Sequence, residues 1–170
     1  MEKLSSKHKD LFDVAKHNLY AKDKGHSIVI PHVCSNANRY SSFFSQKISR
    51  LYPDVEINYQ LLGSNFLAKS PGYVQFNDVE REPEYNRRLI VASMITQNEI
   101  TNKPPNRTLN YVYLVKSMIS IKSFMIKNFN SENKAIIYLD KRTFKSAGGN
   151  WAFIQNLIKD VWYDLDVEIF

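Results

Sequence analysis

Apolar positions along the chain follow two periods, and the switches between them outline the elements. Leu11, Ala15 and Leu19 return every four residues with Phe12 and Val14 beside them, so Lys7 to Lys24 reads as a helix; Asp10-Leu11-Phe12-Asp13 also allows a short strand and a turn. Ser27 to Val33 is continuous and β-branched, the pattern of a central strand covered on both faces. Pro31 has no N–H for a ladder, which sets the end of the paired part near Ile30. A polar turn, Cys34 to Ser42, leads to a helix through Phe44, Ile48 and Leu51, N-capped by Ser41 or Ser42 and stopped by Pro53. Asp54 to Ser70 has no clean period and reads as a loop with a short helix, followed by a turn at Pro71-Gly72. Tyr73–Val79 and Arg88–Ile95 read as the two strands of a hairpin joined by the charged connection Glu80 to Arg87.

Thr96 to Thr108 is a long polar loop, of a length often used for binding. From Asn110 the period is helical, with Tyr111, Leu114, Val115, Met118, Ile121 and Met125 on one face. A strand over Lys134–Asp140, a glycine turn, a helix over 150–162 and a terminal strand, Asp166 to Phe170, complete the chain. Helices alternating with apolar strands predict an α/β domain, a mixed sheet between two helical layers. The 170 residues fit one domain, with a core over 27–170 and residues 1–26 as an extension or a first strand or helix.

Composition narrows the function classes. Apolar residues make up 44% and charged residues 24%, ordinary for a globular protein. No apolar run approaches the ~18–20 residues of a membrane span, and the N-terminus leads into no signal-like apolar region. The single cysteine, Cys34, excludes an internal disulfide and a cysteine metal cluster. A reduced, cytoplasmic compartment with no metal and no cofactor is the simplest expectation. The net charge of +6 suits an anionic ligand, but the lysines are scattered, which argues against a nucleic-acid footprint.

Two of only five glycines lie side by side in Ser146-Ala147-Gly148-Gly149-Asn150-Trp151, between an apolar strand and a helix. Strand, glycine turn and helix N-terminus form an arrangement in which free N–H groups cradle a phosphate. A tight strand-to-helix connection without a ligand carries the same signature.

Five local strings, in order, resemble the macro domain, the ADP-ribose-binding fold, and in particular the small phage and microbial members related to ADP-ribose-1″-phosphate phosphatases. They are His32-Val33-Cys34, Gly72-Tyr73-Val74-Gln75-Phe76, Ile90 to Gln97, Leu109-Asn110-Tyr111 with Leu114, and Ala147-Gly148-Gly149-Asn150-Trp151. The resemblance covers roughly Ser27 to Phe170 and implies a three-layer α-β-α sandwich with a mixed central sheet. It implies a ligand, ADP-ribose or a related NAD-derived or cyclic nucleotide, held between two loops. The first loop would contribute Ser35, Asn36, Asn38, Tyr40, Ser41 and Ser42. The second would contribute Arg142, Lys145, Ser146, Ala147, Gly148, Gly149 and Asn150.

The departures bear on chemistry. The family's loop Asn reads as Ser35 with Asn36 next to it, and its glycines read as Asn38, Ser41 and Phe43. In the second loop, Arg142-Thr143-Phe144-Lys145-Ser146 stands where the family has a Gly-x-Gly run, so only Gly148-Gly149 remains. Phenylalanine in place of glycine removes the room for a close backbone approach. Asn36, Asp140 and His32 are the candidates for a catalytic role. Ser35, Asn36 and Asn38 can hydrogen-bond a ribose but are poor bases. His32 also reads as a strand histidine satisfied by its surroundings, and Asp140 as a turn cap or a partner of Lys141 or Arg142. Cys34 reads as buried and inert. Arg142 and Lys145 offer side-chain cations where backbone contacts are lost. Tyr40, Phe43 and Phe144 can stack on a base or narrow the pocket, with Phe43 read as core. If Asp10-Leu11-Phe12 matches the family's N-terminal Gly-Asp-Leu/Ile segment, Asp10 would contact an adenine amino group. The expectation is a nucleotide-binding protein with weak hydrolysis of ADP-ribosyl or ADP-ribose-1″-phosphate groups at most. The alternative is an inactive interaction module, such as a phage counter-defence factor bound to a host defence protein.

Overall fold

The β-branched run that begins at Ser27 forms the centre of the sheet. In the computed structural model, which describes residues 10–98 and 108–170, β1 (Ser27–Ser35) is buried along its whole length. The other strands are β2 (Val74–Glu82), β3 (Arg87–Gln97), β4 (Ala135–Leu139) and β5 (Val167–Ile169), in spatial order β2-β3-β1-β4-β5. The β2–β3 hairpin is antiparallel and the β1–β3, β1–β4 and β4–β5 pairings are parallel, giving a mixed sheet.

Successive side chains of β1 alternate between two cores. Val29 and Val33 point to the face covered by α5 (Tyr111–Asn128) and α7 (Trp151–Val161), where they meet Met118, Ile121 and Ile154. Ile28 and Ile30 point to the opposite face, covered by α1 (Leu11–Tyr20) and α2 (Phe43–Leu51), where they meet Leu19, Phe44 and Ile48. The three-layer α/β sandwich is the arrangement that the pattern predicts. Over residues 11–20 the helical period wins: Asp10 is the N-cap of α1 and accepts a hydrogen bond from the Phe12 N–H at 2.9 Å. Ser42 caps α2 and Asn150 caps α7 in the same way, and replacing either by alanine is expected to cost about 1 kcal/mol.

Pro31 does not end β1. Pairing with β3 runs from Ile28 to Ser35, whereas pairing with β4 stops at Val29. The N–H groups of Ser27 and Val33 both face the β4 side, donating to the Lys134 carbonyl and to Thr143 Oγ1. By alternation Pro31 faces that side too, so its missing N–H falls where the β4 ladder has already ended. The expected end near Ile30 holds on one edge of the strand and fails on the other.

Three segments differ from expectation. Residues 54–70 form two helices, α3 (Pro53–Leu61) and α4 (Ser64–Lys69), and Pro53 opens the first of them at the position where its missing N–H costs nothing. The charged connection shrinks to residues 83–86, because β2 and β3 extend to Glu82 and Arg87. A short helix, α6 (Lys141–Lys145), follows β4 directly. Most of the expected polar loop, residues 99–107, lies outside the described residues, while Thr96 and Gln97 belong to β3.

Candidate functional site

Parallel strands β1, β3 and β4 end on one edge of the sheet, the edge where ligands of open α/β sheets bind. The loops after β1 and β4, residues 36–42 and 140–150, lie side by side there.

The first loop closes on itself and on a tyrosine. The Asn36 N–H donates to the Gln97 carbonyl at 3.0 Å, and the Ala37 N–H donates to Ser35 Oγ at 3.0 Å. Asn38 takes the left-handed conformation, φ +55°, that its short amide side chain tolerates and that a glycine would adopt. Its Oδ1 is buried with no hydrogen-bond partner. Under the loop, the Tyr59 hydroxyl donates to the Ser35 carbonyl and faces the N–H groups of Asn38 and Arg39. Tyr59 is fully buried and comes from α3, in the segment that carries no sequence period, so no sequence signal points to it. Ser41 is exposed, and Ser42 Oγ accepts the Ser45 N–H at 3.0 Å.

The second loop is a capped helix. Asp140, fully buried, accepts the Arg142 N–H at 2.8 Å and holds the Arg142 guanidinium through both carboxylate oxygens. Of its two expected non-catalytic roles, capping and pairing, it fills both. Thr143 and Phe144 turn inward, and Thr143 Oγ1 receives the Val33 N–H at 2.9 Å, which seats α6 on the end of β1. The chain then leaves α6 through Gly148 at φ +77°. The Gly149 N–H bonds the Phe144 carbonyl and the Gly148 N–H bonds the Lys145 carbonyl, both at 3.0 Å. This 6→1 and 5→2 pair is a Schellman motif. The N–H groups of Ser146 and Ala147 bond the Arg142 and Phe144 carbonyls, and that of Asn150 bonds the Tyr111 hydroxyl. Every backbone N–H from Ser146 to Asn150 therefore has a partner within the chain.

The two glycines have different tasks. Gly148 supplies the left-handed backbone, and Gly148→Ala is expected to cost about 1 kcal/mol. Gly149 supplies space: a Cβ there would lie 2.8 Å from Leu109 Cδ2, 2.8 Å from Ile154 Cδ1 and 2.9 Å from the Phe144 carbonyl. Gly149→Ala is expected to cost about 1–3 kcal/mol through overpacking. Urea denaturation of the two variants separates these effects.

His32 lies behind the first loop, not in it. It is fully buried, its Nε2 is 2.9 Å from Ser93 Oγ, and the Tyr40 ring meets it edge-on. Burial pulls its pKa down to about 3, so the ring is neutral. Cys34 Sγ lies 3.5 Å from His32 Nε2, and burial pushes the thiol up to about 12, which removes the thiolate a nucleophile needs. The Tyr40 hydroxyl is 3.4 Å from both His32 Nε2 and Ser93 Oγ, and burial raises its pKa. This is a packed polar cluster of a neutral imidazole, a protonated thiol and two hydroxyls.

Phe43 departs from its core reading. It opens α2 with 70% of its surface exposed, while Phe144 is 1% exposed. Phe43 and Lys47 share a face of α2, one turn apart. Lys47 pairs with Asp10, and the Asp10 charge also acts on Arg142. Burial pulls the Asp10 carboxyl up, but Lys47 and the Phe12 N–H outweigh it and hold it below the ordinary carboxylate range. Lys47 and Asp10 thus form an ion pair whose carboxylate charge reaches Arg142, and Phe43 sits exposed one helical turn before Lys47. Lys141, Lys145, Ser146 and Asn150 are exposed, Gly149 is half-buried and Ala147 is buried. Among the described residues, no group of three His, Cys, Asp or Glu side chains is placed to hold a metal ion, and no helix is long and apolar enough to cross a membrane.

No protein-family model matches the chain, and no curated protein does. Solved structures do. A protein of unknown function from Bacteroides thetaiotaomicron is 22% identical, with 85% of this chain and 87% of that one superposed at a TM-score of 0.70. A macrodomain protein from Streptomyces coelicolor is 22% identical over 89% of this chain and 93% of its own, at 0.64. Thermosipho africanus DarTG, solved in complex with ADP-ribose, is 11% identical over 83% of this chain and 37% of its own, at 0.60. With the mixed sheet and its two helical layers, these likenesses establish that this chain has the macrodomain fold.

Proposed function

We propose that the chain binds a nucleotide of the ADP-ribose class at the sheet edge between the loops 36–42 and 140–150, and that it binds without hydrolysing. The observation that carries this reading is the set of groups on that edge: an exposed aromatic ring, Phe43, one turn from Lys47, the Lys47–Asp10 pair whose charge reaches Arg142, and Lys141 and Lys145 on the surface of α6. A structure sharing the fold, that of Thermosipho africanus DarTG, holds ADP-ribose. An aromatic face stacks a base, a carboxylate accepts from an exocyclic amine, and cations hold a diphosphate by charge-assisted contacts. Asn36 lies in the loop that would meet the distal ribose, while Asn38 Oδ1 is buried and is not offered to the ligand.

The same geometry argues against catalysis. Placement of a water against the anomeric carbon needs a fixed, accessible base. Asp140 is buried and bound to Arg142, and His32 is buried and neutral.

Calorimetric titration with ADP-ribose tests the reading. Saturable binding is expected, weakened at least about tenfold in a Lys141→Ala/Lys145→Ala variant. No heat and no thermal stabilisation at millimolar ADP-ribose would remove it.

One observation favours a second reading, an interaction module that has lost its ligand. The N–H groups a macrodomain would offer to phosphate are bonded internally from Ser146 to Asn150. That reading gains only if ADP-ribose fails to bind while the protein remains folded.

A further inference from the structure

The outer face of α5 carries an apolar stripe that no described residue covers. Val112, Ile119 and Ile126 are 68%, 52% and 63% exposed. They recur every seven residues, so each sits only ~20° around the helix from the last, and the stripe runs ~21 Å along the axis. The buried face of the same helix, Leu114, Met118, Ile121 and Met125, is the one that packs on the sheet. The stripe is therefore additional to what the fold requires of α5.

Two further features define what fits it. Beside Ile119 the surface sinks into a depression of about 450 Å³, bounded by Pro71, Gly72, Tyr73, Lys116 and Ser120. Phe66 stacks edge-on against Tyr73 at 5.1 Å and extends its apolar rim. The charges along the helix have one sign. α5 contains Lys116, Lys122 and Lys127 and no acidic residue. Lys122 is held by Asp164, but Lys116 and Lys127 are exposed and lie along one border of the stripe.

We propose that α5 docks an amphipathic helix of another protein, one with large apolar residues at heptad spacing and acidic residues flanking them. A seven-residue repeat is the spacing at which two helices keep contact along a left-handed crossing. The depression next to Ile119 accepts one large apolar side chain of the partner, and Lys116 and Lys127 pair with its carboxylates. A second copy of this chain fits poorly, because two α5 helices face to face bring only lysines together. This surface lies on the outer helical layer and is independent of the nucleotide reading.

Fluorescence anisotropy with two synthetic helical peptides tests the proposal. Both carry leucine at the heptad core positions; one is flanked by glutamates and the other by lysines. The glutamate peptide is expected to bind saturably, more weakly as salt rises, and at least about tenfold more weakly to a Val112→Ser/Ile119→Ser/Ile126→Ser variant. These positions are exposed, and an unchanged melting temperature will show that the variant keeps its fold. A Lys116→Glu/Lys127→Glu variant is expected to reverse the preference between peptides. Absence of glutamate-peptide binding, equal binding of both peptides, or binding unchanged in the serine variant overturns the proposal. So does a dimer in sedimentation that the serine variant abolishes, since it would make a second copy the occupant.

Discussion

Phe144→Ala is expected to destabilise the protein by about 3–5 kcal/mol, among the largest effects of any single substitution in the second loop. The ring is 1% exposed and lies 6.1 Å from the Trp151 ring, in the core shared by β1, β4 and α7. The residue holds its neighbourhood in two ways. Its side chain anchors α6, and its carbonyl accepts the Ala147 and Gly149 N–H groups that end α6. Loss of the ring leaves a cavity and loosens the cap above it. Urea denaturation reads the stability loss, and hydrogen exchange at Gly148 and Gly149 reads the cap. A loss below about 1 kcal/mol would show that the second loop does not depend on the ring.

The second large effect is on acid stability. His32 ordinarily titrates at 6.5, and burial in the native state pulls it down to about 3. Between those values the unfolded chain takes a proton that the native chain refuses, so the unfolded state binds more protons and stability falls as pH falls. The contribution is fully present above pH 6.5 and is lost progressively towards pH 3, by an amount on the order of 4 kcal/mol. Asp10 and Glu80, whose carboxyls lie below their ordinary range in the fold, add losses of the same sign, but at lower pH. His26, which burial also pulls down, titrates in the pH 6.5–4.5 window too, so His32 is isolated by comparing wild type with a His32 variant across it. Wild type is expected to lose on the order of 2 kcal/mol more than His32→Gln across it. Parallel slopes for the two proteins would mean that His32 is protonated in the native state.

Elements with a strong apolar period were legible in the sequence. The continuous run Ser27–Val33 gave the central strand, the alternation of Tyr73–Val79 gave the hairpin, and the face Leu114, Met118, Ile121 and Met125 gave the long helix. α3 and α4 were not legible, because each buries few side chains. α3 covers only Val55 and Tyr59, and α4 only Leu67, so neither presents a stripe. α6 is not legible for a related reason: five residues cannot show a period.

The position of the glycine turn in the fold was legible in the sequence, and its hydrogen bonding was not. The glycine pair follows β4 and α6, at the edge of the sheet where β1, β3 and β4 end. Its sequence cannot distinguish a turn whose N–H groups are free from one whose N–H groups close a helix, because Gly148 at φ +77° serves both. What separates them is the partner of each N–H, and those partners lie in α6. Phe43 differs from its core expectation because its helical neighbour Phe44 satisfies the core position, leaving Phe43 outward. Tyr59 reaches the first loop only through the tertiary fold.

The most direct test of the account is a titration of isotope-labelled protein with ADP-ribose, followed at each backbone N–H by nuclear magnetic resonance. The account predicts saturable shifts at residues 36–43 and at Asp10, Lys141 and Arg142, with the Gly148 and Gly149 signals nearly unmoved because their N–H groups stay on the Lys145 and Phe144 carbonyls. Largest shifts at Gly148 and Gly149, or no shifts anywhere in a folded sample, would contradict it.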